Sequence, residues 1–224
     1  MIRFFDIFFS FLGLLILAPF FLIISLIIAS TSRGTVFYTQ KRVGKDNRDF
    51  TLIKFRTMCV NADKMGLLTV GEKDCRITKA GLFLRKYKLD EIPQLWNVLK
   101  GNMSLVGPRP EVRKYVDLYN NEQKQILKIR PGITDYASIE YLDENSILAH
   151  MNEPEKQYIE VIMPHKLQLS FQYMENSSVK EYFKILLLTA KKICFSECYY
   201  THPSGLGSPA MRQAPRAGPN GNSS

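Results

Sequence analysis

Asp90 and Glu91 are adjacent acids inside a basic stretch, with Arg85, Lys86 and Lys88 just before them. Neighbours at i and i+1 do not share a helix face, so the two carboxyls can hold different roles: one toward phosphorus or a metal, the other toward a proton or a cation. The spacing places them at the start of a helix that Pro93 opens and Gly101 ends. Free backbone N–H groups and nearby cations there favour ionised carboxylates and attract phosphate. Helix capping alone is the plainer reading of acids in a first turn. Against it stand the surrounding cations and two arginines set beside prolines. Arg109 lies between Pro108 and Pro110, and Arg130 opens Arg-Pro-Gly; both suit a guanidinium aimed in advance at phosphate. Cys194, Cys198 and His202 follow i, i+4, i+8 spacing, but three ligands on one helix do not close a zinc site. His150 and His165 have no nucleophile partner in view.

The elements that must carry these residues are partly visible. Val36–Tyr38 and Phe50–Ile53 are β-prone runs around a turn at 44–47, which predicts a hairpin over 35–57. Residues 60–80 are polar and read as a loop with helical pieces, followed by a short helix over 81–87. Trp96 reads as core. The two prolines around Arg109 argue against regular structure over 104–110, and 130–134 reads as a second rigid turn. Helical pieces are expected over 111–129, and residues 179–195 form a basic amphipathic helix that could lie at a membrane surface. From 203 onward Gly, Pro and Ser dominate, so a disordered tail is expected over 203–224.

Ile7 to Ser32 carries no charged side chain, enough for membrane embedding. Pro19 at its middle withholds an N–H from Leu15 and is expected to kink or break the helix. Basic residues follow the run and Arg3 precedes it, which favours the cytoplasm for both ends. A bent helix that enters one leaflet and returns, and a kinked full span, both satisfy this pattern.

The chain has 224 residues, 30 basic against 21 acidic, for a net charge of +9. Residues 33–60 contribute +5 and 76–100 contribute +4, so the remainder is neutral. Two stretches therefore face an anionic partner. The 46% apolar content excludes a disordered chain. Four cysteines in this length do not make a disulfide scaffold.

Four blocks carry a family resemblance: Thr39-Gln40-Lys41-Arg42-Val43-Gly44; Lys54-Phe55-Arg56-Thr57-Met58; Gly81 to Lys86 with Leu89 to Gly101; and Met103 to Pro110 with Arg130 to Thr134. With the membrane segment, residues 1 to about 195 resemble the bacterial sugar transferase family of small monotopic polyprenyl-phosphate phosphoglycosyl transferases, in its minimal catalytic form. The resemblance implies transfer of a sugar-1-phosphate from a UDP-sugar to undecaprenyl phosphate, with release of UMP and with Mg²⁺, as the first membrane step of glycan assembly. It implies Asp90 as nucleophile and Mg²⁺ ligand, and Glu91 as its partner. Arg85 and Arg109, with Arg56 and Arg130, would hold substrate phosphates. It also implies a re-entrant membrane helix over 1–32 broken at Pro19, though Ala18 stands where relatives often have Ser. A cytoplasmic catalytic domain over 33–202 would sit on the bacterial inner membrane, in contact with membrane lipids and not with nucleic acid. The oligomeric state stays open. The expected fold is α+β and mostly helical, with interfacial amphipathic helices and a short β-hairpin. A non-enzymatic membrane adaptor and a metal-dependent pyrophosphatase remain as alternatives; the first leaves the acids unexplained.

Overall fold

The computed structural model describes residues 1–62, 66, 68–69, 71 and 74–195. Cys198, His202 and the expected tail over 203–224 lie outside them. The fold is α+β and mostly helical, as expected.

α1 spans Ile2–Thr31 and is the one described helix long and apolar enough to cross a membrane. It is a single helix through Pro19, not two elements. A proline costs a helix one hydrogen bond and a steric clash, yet α1 continues through it. One stripe of α1 faces the protein along its length, including Asp6, Ser10, Gly13, Ile24 and Ile28. Gly13 permits the close approach: a Cβ there would meet Leu95 Cδ1 at 3.2 Å. The opposite face exposes Phe4, Phe8, Phe11, Leu15, Leu22 and Leu26.

Both ends of α1 are tied to the same body. At the start, Arg3 donates to the Val98 and Leu99 carbonyls at 2.6 and 2.9 Å. Asp6 is buried and accepts from the Ser104 hydroxyl, the Leu105 N–H and the Tyr182 hydroxyl at 2.9–3.0 Å. At the far end, Ile24 and Ile28 pack on Phe55 and Leu84.

The hairpin follows. β1 (Phe37–Val43) pairs antiparallel with β2 (Asp49–Phe55) in the register Phe37↔Phe55 to Val43↔Asp49. Asp46 and Asn47 take left-handed conformations in the turn, which short polar side chains tolerate. α2 is Lys79–Lys86, capped by the Thr78 hydroxyl. α3 is Gln94–Leu99. Its buried Asn97 accepts from Ile53 N–H and donates to the Thr51 carbonyl, so the amide continues the hydrogen bonding of β2 and clamps α3 to the hairpin.

Ser104–Val106 is a strand, β3, paired in parallel with β4 (Gly132–Thr134). This corrects the reading of 104–110 as wholly irregular and of 130–134 as only a turn. Prolines forbid strand structure at 108 and 110, and β3 ends before them. The two backbones touch: a Cβ on Gly132 would lie 2.1 Å from the Gly107 nitrogen.

The rest is short helices: α4 (Arg113–Val116), a 3₁₀ turn over Gln123–Lys128, α5 (Tyr136–Glu140), α6 (Glu144–Ala149) and α7 (Pro154–Gln157). α7 runs through a π-turn at Tyr158–Ile162 into α8 (Met163–Glu175), and α9 is Val179–Phe195. One core cluster gathers Tyr115, Ile126, Ile162 and Leu167. A second joins Phe50 and Leu52 of the hairpin to Val98, Met103, Tyr182 and Ile185. Trp96 is not core: it is 49% exposed, with the Lys100 ammonium 5.5 Å from its ring centroid. Cys59, Cys75 and Cys194 are free and exposed.

The Gly107–Gly132 contact generates a stability prediction. Gly132→Ala must push two backbones apart, which no rotamer change relieves, so unfolding of the purified protein in detergent should show a loss of about 3 kcal/mol. An unchanged denaturation midpoint would contradict the parallel pairing.

Candidate active site

Asp90 and Glu91 do not begin the helix that was expected to hold them. They occupy a separate 3₁₀ turn, Leu89–Glu91, and Pro93 caps α3 afterwards. Lys88 turns the chain into this position with φ 55°, a left-handed conformation uncommon outside glycine. Its Nζ donates to the Leu142 carbonyl at 2.9 Å. The charge that steadies the acids therefore comes from side chains, not from a helix end.

The two acids are almost equally buried, at 7% and 9% exposure, yet their partners differ. Glu91 Oε1 accepts from Lys54 Nζ at 2.8 Å. Arg109 grips the same carboxylate with both terminal nitrogens, Nη1 to Oε2 at 3.2 Å and Nη2 to Oε1. Among the described residues, no donor bonds the Asp90 carboxylate. Burial pulls the Glu91 carboxyl toward its neutral form, but Arg109 and Lys54 outweigh it and hold the group well below the usual carboxylate range. Asp90 goes the other way. Burial raises it, the Glu91 charge adds to the rise, and Lys54, Arg85 and Lys88 offset only part. The expectation that both acids are favoured as anions thus applies to Glu91, while Asp90 is the more weakly acidic partner. Burial also lowers Lys54, Lys88 and Arg85, each opposed by the acids.

Asp90, Glu91, Arg85, Arg109, Lys54 and Lys88 line one cavity of about 1480 Å³. Arg85 reaches it from α2, where its Nε donates to the Thr57 hydroxyl at 2.8 Å. Arg109 is aimed by the strand pair: Gly107 N–H donates to Thr134 O and Gly132 N–H donates to Pro108 O, at 3.0 and 2.8 Å.

The other two arginines go elsewhere. Arg56 borders the cavity but is 7% exposed, and its two terminal nitrogens turn to the end of α1. It donates to the Ser32 carbonyl and hydroxyl and to the Arg33 carbonyl at 2.8–2.9 Å. β2 ends at Phe55, so Arg56 leaves the strand and turns back to the helix end. Arg130 does not line the cavity; its Nε donates to Gly101 O at 3.1 Å. Beside the acids stand Lys54 and Lys88, which sequence reasoning counted as charge and did not place. The signal was present for Lys54: a cation inside an apolar strand, between Ile53 and Phe55, needs an acid across from it.

The Glu91 pairings predict a pH dependence. The folded group is more acidic than the unfolded one, so its stabilisation is complete above the usual carboxylate range and is lost as pH falls below it. Glu91→Gln should cost about 2–3 kcal/mol at pH 7, less than a fully buried pair because Arg109 is partly exposed. The gap from the parent protein should narrow as thermal unfolding is followed below about pH 4. A gap constant with pH would contradict a charged Glu91 in the fold.

Comparison with known proteins bears on the whole chain. Residues 1–196 match the family described as bacterial sugar transferase. The chain is 41% identical over 137 residues to the UDP-N-acetylgalactosamine-undecaprenyl-phosphate N-acetylgalactosaminephosphotransferase of Aeromonas hydrophila, a match covering 60% of this chain and 32% of that one. It is 40% identical over 162 residues to the uncharacterized sugar transferase EpsL of Bacillus subtilis (strain 168), covering 72% and 71%. It is 34% identical over 190 residues to the UDP-glucose:undecaprenyl-phosphate glucose-1-phosphate transferase of Klebsiella pneumoniae, covering 84% and 38%. The match thus spans about a third of the Aeromonas relative and more than two thirds of EpsL. With α1, the hairpin and the acid pair all inside the matched residues, the chain belongs to the bacterial sugar transferase family.

Proposed function

We propose that this protein transfers a sugar-1-phosphate from a UDP-sugar to undecaprenyl phosphate and releases UMP. The observation that carries the reading is the asymmetry of the acid pair. Glu91 is tied to Arg109 and Lys54, while Asp90 faces a large cation-lined cavity and no donor among the described residues bonds its carboxylate. Relatives named for undecaprenyl-phosphate sugar-phosphate transfer support the substrate classes.

In this reading an Asp90 oxygen attacks the β-phosphorus of the donor. An aspartyl phospho-sugar bond forms as the bond to the bridging oxygen breaks, and that oxygen leaves with UMP. An oxygen of the lipid phosphate then attacks the same phosphorus, the acyl-phosphate bond breaks, and Asp90 is regenerated. Burial that raises Asp90 makes it a better nucleophile than a solvated aspartate. Arg85, Arg109, Lys54 and Lys88 stabilise the charge of the diphosphate in a site partly withdrawn from water. Glu91 organises: it holds Arg109 and Lys54 in place without meeting phosphorus itself.

The residues fit Mg²⁺ only as a shared ion. Among the described residues no cluster of three or more acidic, His or Cys groups could hold a metal alone. Mg²⁺ binds through one or two carboxylates plus substrate phosphates, so Asp90 would share it with the donor, where it would neutralise phosphate charge.

The proposed seat is the cytoplasmic leaflet of the bacterial inner membrane. The apolar outer face of α1 would meet lipid, and both ends of α1 are fixed to one body, which suits a helix that does not cross. A 30-residue helix is about 45 Å long, so a bilayer-spanning path would carry one end away from the site.

Full-length protein in detergent, given a panel of UDP-sugars, undecaprenyl phosphate and Mg²⁺, should release UMP. Asp90→Asn should lower the rate at least about 10³-fold. Intact mass spectrometry without acceptor should show a sugar-phosphate adduct on Asp90. Undiminished turnover by Asp90→Asn would remove the nucleophile assignment, and sugar phosphate released without lipid would point to hydrolysis instead.

A further inference from the structure

A second charged group lines the same cavity and has no part in the transfer chemistry described above. It comprises Arg42 of β1, Glu111, Glu144 of α6, Tyr158 and Lys166 of α8. Direct contacts join it to the acid-pair end at two points. Arg42 Nη1 donates to the Pro110 carbonyl at 3.1 Å, one residue beyond Arg109. Lys88 Nζ donates to the Leu142 carbonyl, two residues before Glu144. Glu91 does most to raise the basicity of Arg109 and Glu144 adds to it, so Glu144 lies within Coulombic reach of that guanidinium. The five side chains form one linked network. Arg42 Nη1 meets Glu111 Oε1 at 3.1 Å, and the Tyr158 hydroxyl donates to Glu111 Oε2. Lys166 Nζ lies 5.2 Å from the Tyr158 ring centroid and 2.6 Å from Glu144 Oε2. Among the described residues, Glu144 Oε1 and Arg42 Nη2 make no hydrogen bond. Withdrawn ion pairs add little stability over apolar side chains of the same volume, so stability alone is a weak reason for this network.

Resting on the reading above, we infer that this network recognises hydroxyl groups of the transferred sugar. Its two acids balance its two bases, unlike the cation-rich end at Asp90, so it suits a neutral polar group better than another phosphate. Carboxylates accept from hydroxyls, and guanidinium or ammonium groups donate to them; a vicinal diol uses both. The donor carries such groups on the transferred sugar and on its ribose. Uracil fits less well: the Tyr158 ring is 2% exposed and its centroid is 5.0 Å from that of Tyr115, so it gives a base no open face. Of the two sugars, the transferred one is bonded through oxygen to the β-phosphorus that Asp90 attacks, whereas the ribose hangs on the α-phosphate. The network adjoins that end of the cavity through Arg109 and Lys88, which favours the transferred sugar. Glu144 and Lys166 are then specificity residues for the donor.

The test starts from the panel of UDP-sugars with wild-type protein, which sets the ratio of kcat/KM between the best and the poorest donor. Glu144→Gln and Lys166→Met should each lower that ratio by about tenfold, the worth of one hydrogen bond to a charged group. An unchanged ratio in both variants, with UMP still released, overturns the inference and leaves the transferase reading standing. Calorimetry without lipid acceptor supplies a second measurement and a control for folding. Both variants should bind the best UDP-sugar about tenfold more weakly, and UMP as tightly as the wild type does. Equal losses for both ligands overturn the inference by placing the contact on the ribose that they share. Binding needs no transfer, so a wild-type protein whose preference among UDP-sugars disappears in the variants, but which releases no UMP, would overturn the transferase reading and leave the sugar site standing.

Discussion

A carboxylate that is withdrawn from water and held as an anion must be paired, and the pairing of Glu91 is what the surrounding architecture serves. Leaving that charge without a partner would cost several kcal/mol. Its two cations come from distant parts of the chain, Lys54 on β2 and Arg109 after β3. Three segments must therefore meet at one point. The Asn97 amide joins α3 to β2, the Gly107–Gly132 contact fixes the loop that carries Arg109, and Lys88 accepts a left-handed backbone to bring the acids in. Each device lies within a few residues of a member of the cluster.

The same cluster explains why two neighbouring acids are not equivalent. Glu91 and Asp90 share nearly the same burial, so burial does not separate them. Hydrogen bonds to cations do. Glu91 has them and is held as an anion, whereas Asp90 experiences burial and the Glu91 charge with cations only at longer range. Opposite displacement of two adjacent carboxyls is how one short segment can supply both a fixed electrostatic support and a reactive group.

α1 adds a second constraint, on the position of the site relative to lipid. Arg3 and Asp6 lock its beginning to α3, β3 and α9, and Arg56 locks its end to the residues after β2. Under the transfer reaction proposed above, the site must sit at a fixed height above the membrane, and a helix latched at both ends would provide it. The buried Asp6 carboxylate, in an otherwise apolar helix, has three donors and is as well satisfied as any polar group in the core.

The amino-acid sequence by itself determined the local elements and the chemical inventory. The hairpin, α2, the long apolar helix and the acid pair among cations follow from short-range patterns: β-prone runs around a turn, an uncharged stretch of 26 residues, and opposite charges within six positions. Only the tertiary structure decided which cations serve the acids. Arg56 and Lys54 are two residues apart and both cationic, but the strand ends between them, so one turns to α1 and the other to Glu91. The β3–β4 pair was illegible for a related reason. Two three-residue strands carry no periodicity, and their partnership spans a separation that no local pattern encodes. Trp96 read as core because it is large and apolar, yet half of it remains exposed because the inner side of α3 is already filled by Asn97 and Val98. Residue type sets what a side chain can do; which partner it meets is settled by long-range packing, where burial makes an unpaired charge too costly to leave alone.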